Sequence, residues 1–155
     1  MNRDELTAKA EIKGTAADSK VSGEVTLTEA PEGLLIEAKV SNVAPGLHGF
    51  HIHEKGSCEE QGNAAGGHYN PMNVKHGFLP KDGMEGAHAG DFGNIEVGPQ
   101  GEGELKLTIP GLSIRGGVHD VEGHAVILHE KEDNFGQPTG NAGGRIGCGV
   151  IQVNE

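Results

Sequence analysis

The sequence predicts an all-β fold, an antiparallel sandwich or barrel. Three observations lead there. Apolar and polar residues alternate with a period of two in several segments, turn signals built on glycine and proline separate those segments, and no stretch of a dozen residues shows a helical period. Glycine supplies 27 of 155 residues without a collagen period or a low-complexity tract. Many tight turns between short strands use glycine at that density.

The first clean alternation sets Val21, Gly23, Val25 and Leu27 against Ser22, Glu24, Thr26 and Thr28. Successive strand residues point to opposite faces, so one face is apolar and the other wet. Pro31-Glu32-Gly33 then turns the chain into a second alternation, Leu34, Ile36, Ala38 and Val40 against Leu35, Glu37, Lys39 and Ser41. After Ala44-Pro45-Gly46 comes a short apolar run, 50–53, that reads as a buried strand. Residues 56–94 follow, rich in Gly, Asn, Pro, His and Asp and poor in alternation. A loop that long inside a compact domain is functional or disordered, and four candidate ligands within it favour function. Between Gly98-Pro99-Gln100-Gly101 and Pro110-Gly111, Leu105, Leu107 and Ile109 alternate with Glu104, Lys106 and Thr108. The apolar runs 125–129 and 148–153 complete the strands.

Hydrophobic residues make up 34% of the chain, with one Tyr, no Trp and four Phe, so the core must be largely aliphatic. A chain of this length buries one core and reads as a single domain, 1–155. A formal net charge of −11 argues against nucleic acid or an anionic membrane as partner. No apolar stretch approaches a membrane span. The opening Met1-Asn2-Arg3-Asp4-Glu5 lacks the apolar segment of a signal peptide.

Chemistry concentrates in six histidines and one aspartate. His51 and His53 stand two apart on an expected strand, so both rings leave one face, about 7 Å apart at the backbone. With His68 and His129 they form a set of imidazoles on rigid supports, which suits copper. His76, His88 and Asp91 with His68 make three imidazoles and a carboxylate, a closed tetrahedral zinc set of the structural kind. Metal there would order a loop too poor in apolar residues to order itself. Both sets claim His68, and spacing alone does not decide the sharing. His48, His119 and His124 read as structural, the last two at a turn and a strand start.

The motifs His48-Gly49-Phe50-His51-Ile52-His53-Glu54, Gly66-Gly67-His68-Tyr69-Asn70-Pro71, His88-Ala89-Gly90-Asp91 and Gly140-Asn141-Ala142-Gly143-Gly144-Arg145, with the tail Cys148-Gly149-Val150-Ile151, resemble the copper/zinc superoxide dismutase family. The order is the family's, over roughly 8–153, and the early Cys58 with Ala64-Ala65-Gly66-Gly67-His68 resembles its bacterial branch.

The resemblance implies a Greek-key antiparallel β-sandwich or flattened barrel, immunoglobulin-like in architecture, with long metal-binding loops. It implies one copper per chain on His51, His53, His68 and His129, and one zinc on His68, His76, His88 and Asp91, with His68 shared. Superoxide would become dioxygen and hydrogen peroxide by copper redox cycling, with zinc structural and tuning. Arg145 and His68 would be catalytic. Asp133 would link His51 to His76, and Cys58 and Cys148 would form a disulfide, which favours the cell envelope or periplasm, with the cytoplasm as the alternative given the missing signal segment. A homodimer is the family expectation. The segment 130–144 departs from the family pattern, being short and net acidic with Lys131 its only cation. A protein that binds or delivers copper or zinc without turnover is the alternative. A zinc hydrolase is disfavoured because it needs an open zinc position.

Overall fold

A computed structural model describes residues 6–137 and 139–154, so the opening pentapeptide lies outside the described residues. Among the described residues nine strands run in chain order as β1 (Thr7–Gly14), β2 (Ser22–Ala30), β3 (Gly33–Ser41), β4 (Gly46–His53), β5 (Asp91–Val97), β6 (Gly103–Ile109), β7 (Ala125–His129), β8 (Arg145–Val150) and β9 (Gln152–Val153). All pair antiparallel, in the spatial order β2-β3-β6-β5-β4-β7-β8-β1-β9. Pairing of β1 with β2 closes the sheet into an eight-strand barrel, with the short β9 extending the β8 side along β1. The connections from β3 to β4 and from β6 to β7 each pass over two strands, which is Greek-key topology.

The alternations bury as their period requires. Val25 and Leu27 of β2 and Leu34, Ile36, Ala38 and Val40 of β3 face the barrel interior. Phe50 and Phe92, 6.1 Å apart, and Tyr69 are the aromatic members of this core; its other members are aliphatic. All five residues of β7 are buried, because both of its faces are covered. Val126 and Leu128 join the interior, whereas Ala125 and Ile127 join Ala65, Cys148 and Cys58 in a second cluster under the loop that follows β4.

The structure corrects four expectations. Strand β1 was not marked by the sequence pattern, although Ala8, Ala10 and Ile12 alternate inward; two of the three are alanines, a weak apolar signal. Strand β5 begins at Asp91, inside the segment expected to be loop. The run 148–153 breaks at Ile151, whose N–H donates to His124 O and whose carbonyl accepts from Gly123 N. One short helix, α1 (Leu79–Gly86), exists where none was expected. Pro80 suits its first turn, the Asp82 carboxylate accepts from the Phe78 N–H at 2.9 Å, and Gly83 interrupts its helical geometry with φ of 71°.

Candidate metal centre

β4 delivers the first two histidines. Phe50 and Ile52 point into the barrel, so His51 and His53 point out, beside Ile127 and Ala125 of β7. That outer face is dry because the chain folds back over it. Glu54 N–H donates to Gly67 O and Lys55 N–H to Ala65 O, and Tyr69 N–H donates to Ile52 O, each at 2.8 Å. His53 and His68 face each other in an isolated antiparallel bridge, which carries the His68 ring to within 4.1 Å of His51 and 4.9 Å of His53. Gly90 lies so close to the Ile52 main chain that a Cβ there would collide with it. This approach lets Ile52 N–H donate to Gly90 O at 3.0 Å and seats Asp91 opposite His51. His129, at the end of β7, completes the cluster with its ring 4.8 Å from His51 and 5.5 Å from His53.

Two four-member groups result, His51, His53, His68 and His129, and His68, His76, His88 and Asp91; within each, the potential ligand atoms lie within 4.8 Å of one another. The spacing left the sharing of His68 open, and the structure places it in both. Its Nδ1 lies 3.0 Å from Asp91 Oδ1 and 3.1 Å from His88 Nδ1, so only Nε2 is left for the first group.

In the first group, hydrogen bonding fixes which nitrogen carries the proton. His51 Nε2 donates to Asp133 Oδ2 at 2.7 Å, His53 Nδ1 to Gly66 O at 2.8 Å and His129 Nδ1 to Gly143 O at 3.2 Å. A carboxylate or carbonyl oxygen only accepts, so the opposite nitrogens are lone pairs. Those atoms, His51 Nδ1, His53 Nε2 and His129 Nε2, are buried without a hydrogen-bond partner. Buried polar atoms are normally paired, and an imidazole held by its far N–H with its near lone pair free is how a metal-ligating histidine is presented. Burial lowers His53 to about 2, helped by the charges of His68, Arg145 and His129 against the Gly66 hydrogen bond. Burial likewise brings His129 to about 3 and His68 to about 4. His53, His68 and His129 are therefore uncharged at neutral pH. Four imidazole nitrogens suit copper.

The second group is acidic. Asp91 Oδ2 accepts main-chain hydrogen bonds from Gly77 N at 2.9 Å and His88 N at 2.8 Å, while Oδ1 faces His68 and lies 3.3 Å from His88 Nδ1. Burial pushes its carboxyl up, but hydrogen bonds from His68, His76, His88 and Gly77 outweigh that and hold it well below the usual carboxylate range. His76 shows the converse: burial opposes its charge, yet hydrogen bonds with Asp133 and Asp91 raise it to about 9. Its Nδ1 lies 2.8 Å from Asp91 Oδ2. Three nitrogens and one carboxylate oxygen are a zinc donor set with no open position.

Asp133 joins the groups. Its carboxylate accepts from His51 Nε2, and both its oxygens lie 3.0 Å from His76 Nε2. Two further residues hold this arrangement. The Asn94 side chain pairs with the Asp133 main chain, donating to its carbonyl at 3.1 Å and accepting from its N–H at 2.7 Å. Gly140, at φ of 89°, passes so near Asp133 and His76 Nε2 that any Cβ would strike both.

Arg145 opens β8 opposite His129. Its guanidinium donates to Gly62 O at 2.8 Å and Gly66 O at 2.7 Å, and Gly66 O also accepts from His53. Among the described residues two of its five donors are used in this way, and its positive charge lies beside the first group. Cys58 and Cys148 form a disulfide across a separation of 90 residues, worth on the order of 4 kcal/mol by loop-closure entropy; Gly62 N–H donates to Cys58 O at 3.1 Å, which ties the bridge to the arginine's support. His48 has both nitrogens against main-chain oxygens, of His129 at 2.9 Å and Ala44 at 2.7 Å, and offers neither to a metal. His119 lies in a turn, and His124 lies just before β7 with its ring 4.2 Å from Tyr69.

Comparison with known proteins follows the same lines. The family described as copper/zinc superoxide dismutase matches residues 21–151. The extracellular superoxide dismutase [Cu-Zn] of Haemonchus contortus is 38% identical over 142 residues, 87% of this chain and 75% of the relative. The superoxide dismutase-like protein YojM of Bacillus subtilis is 39% identical over 146 residues, 89% of this chain and 73% of the relative. A solved structure of the clock protein EA4 superposes with a TM-score of 0.86 at 32% identity, covering 99% of this chain and 98% of that one.

Proposed function

The chain belongs to the copper/zinc superoxide dismutase family, and on that premise we propose that it dismutes superoxide with copper held by His51, His53, His68 and His129 and zinc held by His68, His76, His88 and Asp91. The observation that carries this reading is the set of buried lone pairs on His51, His53 and His129, each aimed by a hydrogen bond at the far side of its ring. When bound, copper supplies a one-electron redox couple and zinc a fixed charge without redox chemistry.

The protein's own groups have three tasks. Arg145 attracts superoxide and offers it N–H donors while its own orientation is set by Gly62 and Gly66. His68, with Nδ1 held among the zinc ligands, takes up a proton at Nε2 and passes it on as peroxide forms. Asp133 fixes the tautomers of His51 and His76. Dismutation consumes two protons per two superoxide ions and yields dioxygen and hydrogen peroxide; His68 supplies one of these protons and solvent the other. The single domain spans 1–155, and the disulfide together with the extracellular relative favours an extracytoplasmic location. Among the described residues no helix is long and apolar enough to cross a membrane. Partnership is with superoxide, and a homodimer is part of the proposal.

The second reading, metal binding or delivery without turnover, draws on the relative named as dismutase-like. Arg145 separates the two. Arg145→Ala keeps both metals and lowers superoxide turnover about tenfold or more, the range over which local charge steers an anion. Arg145→Lys recovers part of the rate, since a point charge attracts but lacks the paired donors. Arg145→Glu is slower than either. Stopped-flow superoxide decay at low and high salt measures this series, and an Arg145→Glu variant as fast as wild type at low salt would rule out guidance by Arg145.

A further inference from the structure

The short segment 130–144 meets a single histidine with three alternate residues. Asp133 places both carboxylate oxygens 3.0 Å from His76 Nε2. Phe135 lays its ring nearly parallel to the His76 imidazole, at 17° and 6.4 Å. Gln137 pairs with the His76 main chain, accepting from its N–H at 3.0 Å and donating to its carbonyl at 2.7 Å. His76 lies outside any strand or helix, and the Gln137 amide gives it the donor and acceptor that a neighbouring strand would supply.

Phe135 is held against its own preference. Its φ of 63° is left-handed, a conformation that persists in a non-glycine residue only where the surroundings impose it. Two contacts do so: its N–H donates to Asp133 Oδ1 at 2.8 Å, and its ring lies 5.6 Å from Phe78. The far side of the segment is pinned to β5 by the Asn94–Asp133 pair. The segment also closes on itself, with Glu130 N–H donating to Gly144 O at 2.8 Å, Lys131 N–H to Ala142 O at 2.9 Å and Asn134 N–H to Gly140 O at 2.9 Å. The self-closed loop reaches His51 through Asp133 and His129 through Gly143 O, whereas Phe135 and Gln137 meet His76.

We infer that Gln137 and Phe135 are positioning residues that latch His76 in place, so that release of zinc from His68, His76, His88 and Asp91 is gated by detachment of 135–137 from His76. The zinc part of this inference rests on the assignment proposed above; the grip on His76 does not. The segment's shortness and acidity fit a latch better than a field that steers an anion, a task left to Arg145.

The test uses two measurements. Zinc release from the holoenzyme is followed with a chromogenic chelator in excess, with copper retention measured in the same samples. Exchange of the His76 amide hydrogen is followed by NMR on the metal-free chain. Gln137→Ala removes both main-chain bonds and is expected to speed zinc release and His76 exchange about tenfold each, since two hydrogen bonds are lost. Phe135→Gly removes the ring while suiting the left-handed backbone, and is expected to speed zinc release with less effect on exchange. Copper loss changes less than about twofold in both, which a general loss of stability would not produce. Val25→Ala, a core truncation remote from the loop, sets the release expected from lost stability alone. Wild-type release and exchange in Gln137→Ala would overturn the latch, as would equal acceleration of copper and zinc matching Val25→Ala. A wild-type chain that takes up no zinc would overturn the zinc assignment, while His76 exchange would still decide whether the grip exists.

Discussion

His129→Ala is expected to remove copper and superoxide turnover while leaving zinc and the barrel in place, and Asp91→Ala to do the reverse damage. The asymmetry comes from where each ligand sits. His129 ends a strand whose position is set by Val126 and Leu128 in the core and by ladders to β4 and β8, so removing its ring leaves the other ligands where they were. Loss of a ligand should exceed the roughly 10–100-fold that loss of a ligand's supporting partner costs, so copper affinity and turnover should each fall by more than about a hundredfold. Asp91 instead accepts main-chain bonds from Gly77 and His88 as well as facing three histidines. Its truncation frees the loop as well as the ligand set, and zinc should be lost together with protection of the amides in 70–90. Metal analysis and amide exchange on both variants check this. Zinc affinity unchanged in Asp91→Ala would show that the acidic group is not the zinc set.

Metal-free protein is expected to lose stability steeply as pH falls below about 6.5. In the folded chain His53, His68 and His129 sit at about 2, 4 and 3, chiefly through burial, against an ordinary value of 6.5 when unfolded. As pH falls through 6.5 the unfolded chain binds protons at these positions and the folded chain does not, so unfolding is favoured. Three such protons correspond to a slope of at most about 4 kcal/mol per pH unit. His76 works in the opposite sense. With a folded value of about 9, its contribution is complete below its unfolded value and is lost as pH rises through 9. Asp91 and Asp133 are depressed in the fold, so their contributions are present above the ordinary carboxylate range and lost only in stronger acid. Metal-free stability should thus peak near pH 6.5, falling steeply in acid and more gently as pH rises toward about 9, and urea unfolding from acid through neutral to alkaline pH measures it. A midpoint unchanged between about pH 7 and 5 would contradict burial of neutral histidines.

Much of this was legible in the residues. Strands β2 and β3 alternate so cleanly that their inward faces follow from the pattern, and the His51-Ile52-His53 step puts two rings on one face wherever a strand forms. His48, one register out of phase, read as structural and is so placed. What the pattern hid has physical causes. Strand β1 carries its inward face on two alanines and one isoleucine. Strand β5 starts on Asp91 at the edge of the loop and is punctuated by Gly93, at φ of 85°. Helix α1 is eight residues long with a proline and two glycines. Asn94 and Gln137 act through main-chain partners, 39 and 61 residues away, and an amide in a loop carries no mark of such a partner.

The family assignment leaves one claim to be settled by measurement, that turnover follows copper held by the four histidines. Metal-free chain reconstituted first with zinc and then titrated with copper should bind one of each per chain, with superoxide decay rising in proportion to copper and reaching its plateau at one equivalent. Stoichiometric copper with no superoxide turnover would contradict the account and leave a protein that binds the metals without using them.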